Sequence, residues 1–252
     1  MHIPDTVTSI GERAFGYCSS MKALSIGSGL TEIKSRTFQN ATALKTVVIP
    51  SNVKKVGDYA FYKCTALERV TLAEGVEEIG MSAFYGVEGL QRLSLPNTLT
   101  TIGKYAFKGC SYLQSVVLGS NIKSIDAHAF YGCKNLTVYL EADTLPEGWH
   151  VRWNTSYRPT VWGCELSEDG KYVVALTVTE DNVVNKKKDN VFTSPKREGY
   201  TFGGWLATID GVEEVFSAEE IDLIPIGTRV VALWNLGDEP LVEIPVEETE
   251  KA

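Results

Sequence analysis

One short motif recurs along the first half of the chain at a constant interval. It reads AFGYC, TFQNA, AFYKC, AFYGV, AFKGC and AFYGC in successive copies. Neighbouring copies are 23 residues apart, and their phenylalanines are Phe15, Phe38, Phe61, Phe84, Phe107 and Phe130. Self-similarity at a period of about 20 to 50 residues is typical of repeat proteins, in which stacked units share one continuous core. The sequence therefore predicts a stack of like units with these rings pointing inward.

Other apolar positions follow the same period. Apolar residues stand eight and five positions before each phenylalanine and six positions after it. Two further apolar positions are separated by one residue, as in VTL and LSL, which is the alternation of a short strand with one buried face. The phenylalanine segment is too short for a long helix and suits a tight helical or 3-10 turn. We predict a solenoid of about six 23-residue repeats, each with a short parallel strand and a short helical or 3-10 turn.

Composition limits the class of partner. With 44% hydrophobic and 22% charged residues, the chain has the composition of a globular protein. A net charge of −8 argues against binding of nucleic acid or an anionic membrane, and no apolar stretch suggests membrane insertion. The KKK run at 186–188 is interpreted as a solvated loop. The first repeat begins at the N-terminus with no signal peptide before it, so we expect the chain to be part of a longer protein.

No catalytic or metal-binding motif stands out. The three histidines, His2, His128 and His150, are far apart in sequence, and His128 occupies a repeat position that suits the surface. Carboxylates do not recur as a pair suited to acid–base catalysis. The glycine-containing stretches GSG and GGW lack phosphate-loop spacing. The sequence therefore predicts a protein that is not an enzyme and that needs no cofactor or metal.

Four of the five cysteines share one repeat position, three residues after the phenylalanine. They are Cys18, Cys64, Cys110 and Cys133. Two other repeats place Ala41 and Val87 there, so the thiols are interpreted as small core residues. Cys110 and Cys133 fall on adjacent repeats, and a disulfide between them is the alternative. Cys164 lies outside the repeats.

Candidate binding residues occupy the positions that the repeat leaves variable. On the strand, Arg69 and Arg92 would lie side by side, with Thr71 and Ser94 two residues further along. Two adjacent guanidinium groups could bind a carboxylate or an acidic partner. The other interpretation, which the neighbouring Glu68 and Gln91 favour, is a pair of solvated charges.

Tyrosines follow the phenylalanine in several repeats. Tyr62 and Tyr85 lie on neighbouring repeats, and Tyr131 is further along. Exposed aromatic residues are common at interfaces, but these rings could also simply cover the turn. We retain both interpretations for Tyr62 and Tyr85.

The segment VGDYAFYKCTALERVTL at 56–72 resembles the BspA-type leucine-rich repeat, and six such units run over residues 3–140. That family occurs in bacterial surface proteins. The resemblance implies a leucine-rich repeat solenoid and an extracellular or cell-surface location. The following LPEGWHVRWNTSYRPTVWG resembles the tryptophan-rich segment that closes such arrays. Trp149, Trp153 and Trp162 would then cover the last repeat.

A second resemblance concerns the C-terminal part. TSPKREGYTFGGWLATIDG followed by GTRVVALW resembles the Listeria–Bacteroides repeat, a small β-rich, grasp-like module. The matching residues are Arg197, Gly199, Tyr200, Phe202, Trp205 and Trp234. Strands are predicted at 172–178 and 229–234, and a helical turn at 217–224 capped by Ser217 and Glu220. The aromatic rings of this module could form its core or a carbohydrate platform.

The predicted organisation is a solenoid with its cap at 1–165, the small module at 166–236 and an acidic disordered tail at 237–252. The resemblance implies a surface-displayed adhesion or protein-binding module, whose solenoid face binds a host or microbial protein or glycan. One alternative is an accessory region that targets a larger surface enzyme, which a hydrolase motif elsewhere in the reading frame would favour. The other is a structural stalk, which a lack of any ligand would favour.

Overall fold

The computed structural model describes residues 1–158, 160–167, 173–179 and 200–236. The predicted tail at 237–252, the KKK run and the motif residues Arg197 and Gly199 lie outside the described residues. The first thirteen strands belong to the solenoid: β1 His2–Ile3, β2 Ser25–Ile26, β3 Glu32–Ile33, β4 Thr46–Ile49, β5 Lys55–Val56, β6 Arg69–Leu72, β7 Glu78–Ile79, β8 Arg92–Ser94, β9 Thr101–Ile102, β10 Ser115–Leu118, β11 Ser124–Ile125, β12 Thr137–Leu140 and β13 Thr160–Val161.

These strands form parallel ladders that run along a β-solenoid of about seven turns. One set of strands pairs as β1-β2, β4-β6-β8 and β10-β12-β13, and a second set of two-residue strands pairs as β3-β5-β7-β9-β11. Arg69 pairs with Thr46 on one side and Arg92 on the other, each one period away. The predicted fold class is confirmed. Ser115 pairs with Thr137, 22 residues on, because the last repeat is one residue short.

The phenylalanines form a continuous ladder inside the stack. Neighbouring ring centroids are 5.3–5.7 Å apart and the rings are nearly parallel. Five of the six rings, from Phe38 to Phe130, are almost completely buried, and Phe15 packs against the same core while partly exposed. The Trp149 and Trp153 rings lie at the far end, where Trp153 meets Phe130 edge-on at 6.4 Å.

The segment around each phenylalanine is a series of linked β-turns, where we expected a helical or 3-10 turn. The N–H of Phe61 donates to Ala83 of the next repeat at 2.8 Å, whereas the N–H of Tyr62 donates back to Tyr59 at 3.1 Å. Successive N–H groups thus alternate between the next repeat and their own. Residues two before and two after the ring, such as Tyr59 and Lys63, have positive φ, which interrupts any helix.

A second sheet follows the solenoid. It is built from β14 Cys164–Leu166, β15 Val173–Thr177, β16 Tyr200–Ile209, β17 Val212–Phe216 and β18 Arg229–Leu236, with a 3-10 helix at Ala218–Leu223. The strand order is β14-β15-β18-β16-β17, and all the pairs are antiparallel. The predicted strands and helical turn are present, and the N–H of Ser217 donates to the Glu220 carboxylate at 2.9 Å.

The second sheet has its own core, and that core extends onto the solenoid. Trp205 and Trp234 are 0% and 1% exposed, so these two rings are core residues and offer no carbohydrate platform. Tyr139 of β12 and Val161 of β13 belong to the same cluster. Within the described ranges, no helix is long and apolar enough to cross a membrane.

Candidate binding surface

The exposed part of the strand ladder β4-β6-β8 carries four of the predicted site residues. This strand face consists of Thr46, Val48, Arg69, Thr71, Arg92 and Ser94. Arg69 is exposed, and Thr71 and Ser94 are half-buried. The register places Arg92 beside Arg69, and the structure describes only the backbone of Arg92. Val48 is 57% exposed, so the face also offers an apolar contact.

The strand face ends abruptly at the C-terminal repeats. Val117 of β10 and Tyr139 of β12 continue the ladder beyond Ser94, yet both pack against the core of the second sheet. Tyr139 is completely buried there. Burial in this second core raises the pKa of its hydroxyl well above the ordinary value. The second sheet therefore covers this face at β10 and β12 and leaves it open at β4, β6 and β8, a restriction that the repeat pattern alone did not reveal.

Tyr62 and Tyr85 lie on a different part of the repeat, the linked turns. Their rings stack at 5.0 Å, and Tyr59 packs on Tyr62 at 5.6 Å. Both rings are half-buried. The six predicted site residues thus fall on two separate surfaces, four on the strands and two on the turns.

Three lysines join these tyrosines on the turn side. We call this surface the tyrosine–lysine ridge; it comprises Tyr62, Tyr85, Tyr105, Tyr131, Lys63, Lys104 and Lys108. The Lys108 ammonium lies 4.9–5.2 Å from the centroids of the Tyr85, Tyr105 and Tyr131 rings. Sequence reasoning missed the lysines, although Lys108 occupies the same repeat position as Tyr62, Tyr85 and Tyr131.

His128 adjoins the ridge in the same repeat as Tyr131. Its ring stacks on Tyr105 at 5.2 Å, and its Nδ1 lies 2.6 Å from the Thr155 hydroxyl. Burial, followed by the positive charges of Lys104 and Arg152, lowers the pKa of His128. Among the residues that the structure describes, no carboxylate contacts this half-buried side chain to orient it as a base, so its surroundings are those of an electropositive surface.

The cysteines are free thiols, and four are buried. Cys64, Cys110 and Cys133 each donate to the carbonyl of the phenylalanine in the preceding repeat, at 3.2, 3.5 and 3.1 Å. Burial raises the pKa of Cys64 to about 12. The prediction of a core position fails for Cys18, which is exposed because its repeat has a packed neighbour on one side only.

No group of three or more potential metal ligands occurs among the residues that the structure describes. A shallow recess beside β3 and β5 is lined by charges of both signs, including Glu32, Lys55 and Asp58. Lys55 in this recess is engaged by Glu78 at 2.7 Å. The recess presents an ion-paired surface, and we assign it no chemistry.

A known family of repeat proteins matches the part of the sequence that contains the repeats. The sequence matches the family described as BspA type leucine rich repeat region, in six copies over residues 1–91 and 77–145. None of the curated proteins matches the chain.

Several solved structures are similar to the chain. A leucine-rich repeat protein of T. pallidum is 26% identical, covers 65% of this chain and 69% of its own, and superposes with a TM-score of 0.50. A leucine-rich repeat protein from Eubacterium ventriosum is 24% identical over 67% of this chain and 46% of its own, with a TM-score of 0.53. A leucine rich cell surface protein from Faecalibacterium prausnitzii is 26% identical over 55% and 54%, with a TM-score of 0.40. The chain spans about half the length of the last two proteins.

The family match covers more than half of the sequence and coincides with the stacked repeats and their phenylalanine ladder. The chain belongs to the BspA-type leucine-rich repeat family.

Proposed function

We propose that the chain is a non-catalytic binding module of a cell-surface protein, and that its strand face binds a macromolecular partner. Membership of a family of leucine-rich repeat proteins suggests a protein-binding or adhesion role. The observation that supports this face is its register. Parallel pairing places Arg69 beside Thr46 and Arg92, so positions from three repeats lie in one fixed register along an extended surface.

The chemistry of this face fits a partner with acidic and apolar groups. Arg69 is exposed next to Thr46, and Val48 offers an apolar patch in the adjacent row. Guanidinium groups bind carboxylates in a bidentate manner. The second sheet borders the face where it covers Val117, so a partner could contact both units.

We also propose the division into a capped solenoid at 1–165, a second module at 166–236 and a tail at 237–252. The strand β14, Cys164–Leu166, spans the proposed boundary and pairs with β15 of the second sheet. The likeness of the second module to the Listeria–Bacteroides repeat belongs to this proposal. Cell-surface display is proposed from the family.

The test uses the whole chain on an array of extracellular-matrix proteins. The double variant Arg69→Ala/Arg92→Ala should keep the wild-type circular dichroism spectrum. Its affinity for a protein that the wild type binds should fall at least about tenfold, because hydrogen bonds to charged groups contribute about 1.5–3 kcal/mol each. Lys54→Ala/Lys123→Ala is the matched control, with the same change in charge at two exposed positions away from the strand face. Unchanged binding by the arginine variant would remove the strand face as the site.

A further inference from the structure

Two sets of lysines in the solenoid have different partners. Three of them form ion pairs with a glutamate one repeat further on. These pairs are Lys45–Glu68 at 3.6 Å, Lys54–Glu77 at 3.1 Å and Lys55–Glu78 at 2.7 Å. The glutamates therefore neutralise the charge of these lysines locally.

The lysines of the tyrosine–lysine ridge have aromatic partners. Lys63 lies 5.6 Å from the Tyr62 ring centroid, Lys104 lies 5.1 Å from that of Tyr105, and Lys108 contacts three rings. None of these three forms an ion pair with any part of the chain that the structure describes. A ring face attracts a cation without cancelling its charge, so the ammonium groups remain available to an anion.

Neighbouring charges reinforce the positive potential of the ridge. At the N-terminal end of the ridge, the Arg36 guanidinium lies 4.6 Å from the centroid of the Tyr59 ring, which packs on Tyr62. At the other end, burial is the largest cause that lowers the pKa of His128. The positive charges of Lys104, Arg152 and Lys108 lower it further. The chain as a whole carries a net charge of −8, so this positive strip is a local segregation of charge.

One carboxylate that is near the ridge in sequence, Asp58, has other partners. Asp58 precedes Tyr59, and its Oδ1 accepts a hydrogen bond from the N–H of Met81 at 2.8 Å. Its charge also acts on Lys55, which belongs to the ion-paired set. Asp58 is therefore engaged away from the ridge lysines.

The backbone beneath the ridge has its hydrogen bonds satisfied. The N–H of Tyr85 donates to Ser82 at 3.2 Å, and its carbonyl accepts from Lys63 at 2.7 Å. The N–H of Lys108 donates to Tyr105 at 3.1 Å, and its carbonyl accepts from Gly86 at 2.7 Å. An extended peptide would find no backbone partners here, so a ligand must be recognised by side chains alone.

We propose that the tyrosine–lysine ridge is a second binding site and that it binds an acidic polysaccharide. Carboxylate or sulfate groups of such a chain would contact the ammonium groups of Lys63, Lys104 and Lys108. Its hydroxyls would pair with the phenol hydroxyls of the tyrosines, which act as both donors and acceptors. A polymer also matches a site that repeats along the axis of the solenoid. The ridge is separate from the strand face, so either proposal can fail without the other.

The experiment measures binding of the whole chain to immobilised heparin, a sulfated polysaccharide, and to polygalacturonate, a carboxylated one. The variant Lys63→Ala/Lys104→Ala/Lys108→Ala should lose at least about tenfold in affinity for the polysaccharide that the wild type binds. The control is Lys45→Ala/Lys54→Ala/Lys55→Ala, which removes the same three charges from the ion-paired set and should change affinity less than about twofold. Binding should weaken as salt rises, because the contacts are electrostatic.

Two further measurements locate the bound anion and separate the classes of ligand. NMR titration of His128 should show its pKa rising when the polysaccharide is bound, because an anion stabilises the imidazolium form. Neutral dextran and poly-L-glutamate are the competitors, and neither should displace the polysaccharide. Absence of binding to both acidic polysaccharides, equal losses in the two lysine variants, or stronger binding of poly-L-glutamate would each overturn the proposal.

Discussion

The phenylalanine ladder makes a quantitative prediction about stability. Phe84 is completely buried, and its ring lies parallel to Phe61 and to Phe107 at 5.3 Å on each side. Truncation of such a side chain to alanine costs about 3–5 kcal/mol. Phe15, at the start of the ladder, is partly exposed and stacks on Phe38 alone, at 5.7 Å.

The comparison of the two positions isolates the stacking. An aromatic pair contributes about 0.5–1.5 kcal/mol beyond the area that it buries. Phe84→Ala removes two such pairs and Phe15→Ala removes one. The internal variant should therefore lose more stability by at least about 0.5–1.5 kcal/mol, and by more once its greater burial is included.

Denaturant unfolding followed by far-ultraviolet circular dichroism measures both free energies. Phe84→Leu is the control, because it keeps an apolar side chain while removing the ring, and it should fall between the wild type and Phe84→Ala. Equal losses for Phe15→Ala and Phe84→Ala would refute the argument that the repeats are stabilised by a shared ladder, and would point to repeats that are stable singly.

Two other properties follow from the structure. At mildly alkaline pH a thiol reagent should modify only Cys18 in the folded protein, because the other four thiols are buried. Burial raises the pKa of Cys64 and of Cys164 to about 12, which suppresses the reactive thiolate. All five thiols should react in denaturant. More than one fast-reacting thiol in the native state would contradict this burial. Trp153→Ala should destabilise the chain by about 3–5 kcal/mol in thermal or chemical unfolding, because the buried ring covers Phe130, and an unchanged midpoint would show that the ring does not cap the stack.

The solenoid could be predicted because its signal is periodic. Each phenylalanine meets its counterpart one period away, so a single aligned column such as Phe61, Phe84 and Phe107 specifies a contact as well as a position. The periodicity also makes the one-residue shortening of the last repeat readable in the sequence, and the register of β10 with β12 reflects it.

Contacts between unlike parts of the chain could not be predicted in this way. Tyr139 stands at a position that is variable and exposed in earlier repeats, and only the packed second sheet makes it a core residue. The turn geometry was also missed, because positive φ at Tyr59 and Lys63 leaves no mark in the residue type.

The constant register of the strand ladders also affects how such a gene can change. Arg69 pairs with Thr46 of the preceding repeat and with Arg92 of the following repeat in the same register. Each repeat therefore contacts the next repeat in the same way as it contacts the previous one. An in-frame duplication or deletion of one unit by recombination would therefore leave both junctions intact. Descendants of this gene can lengthen or shorten the displayed array while every remaining interface stays as it was.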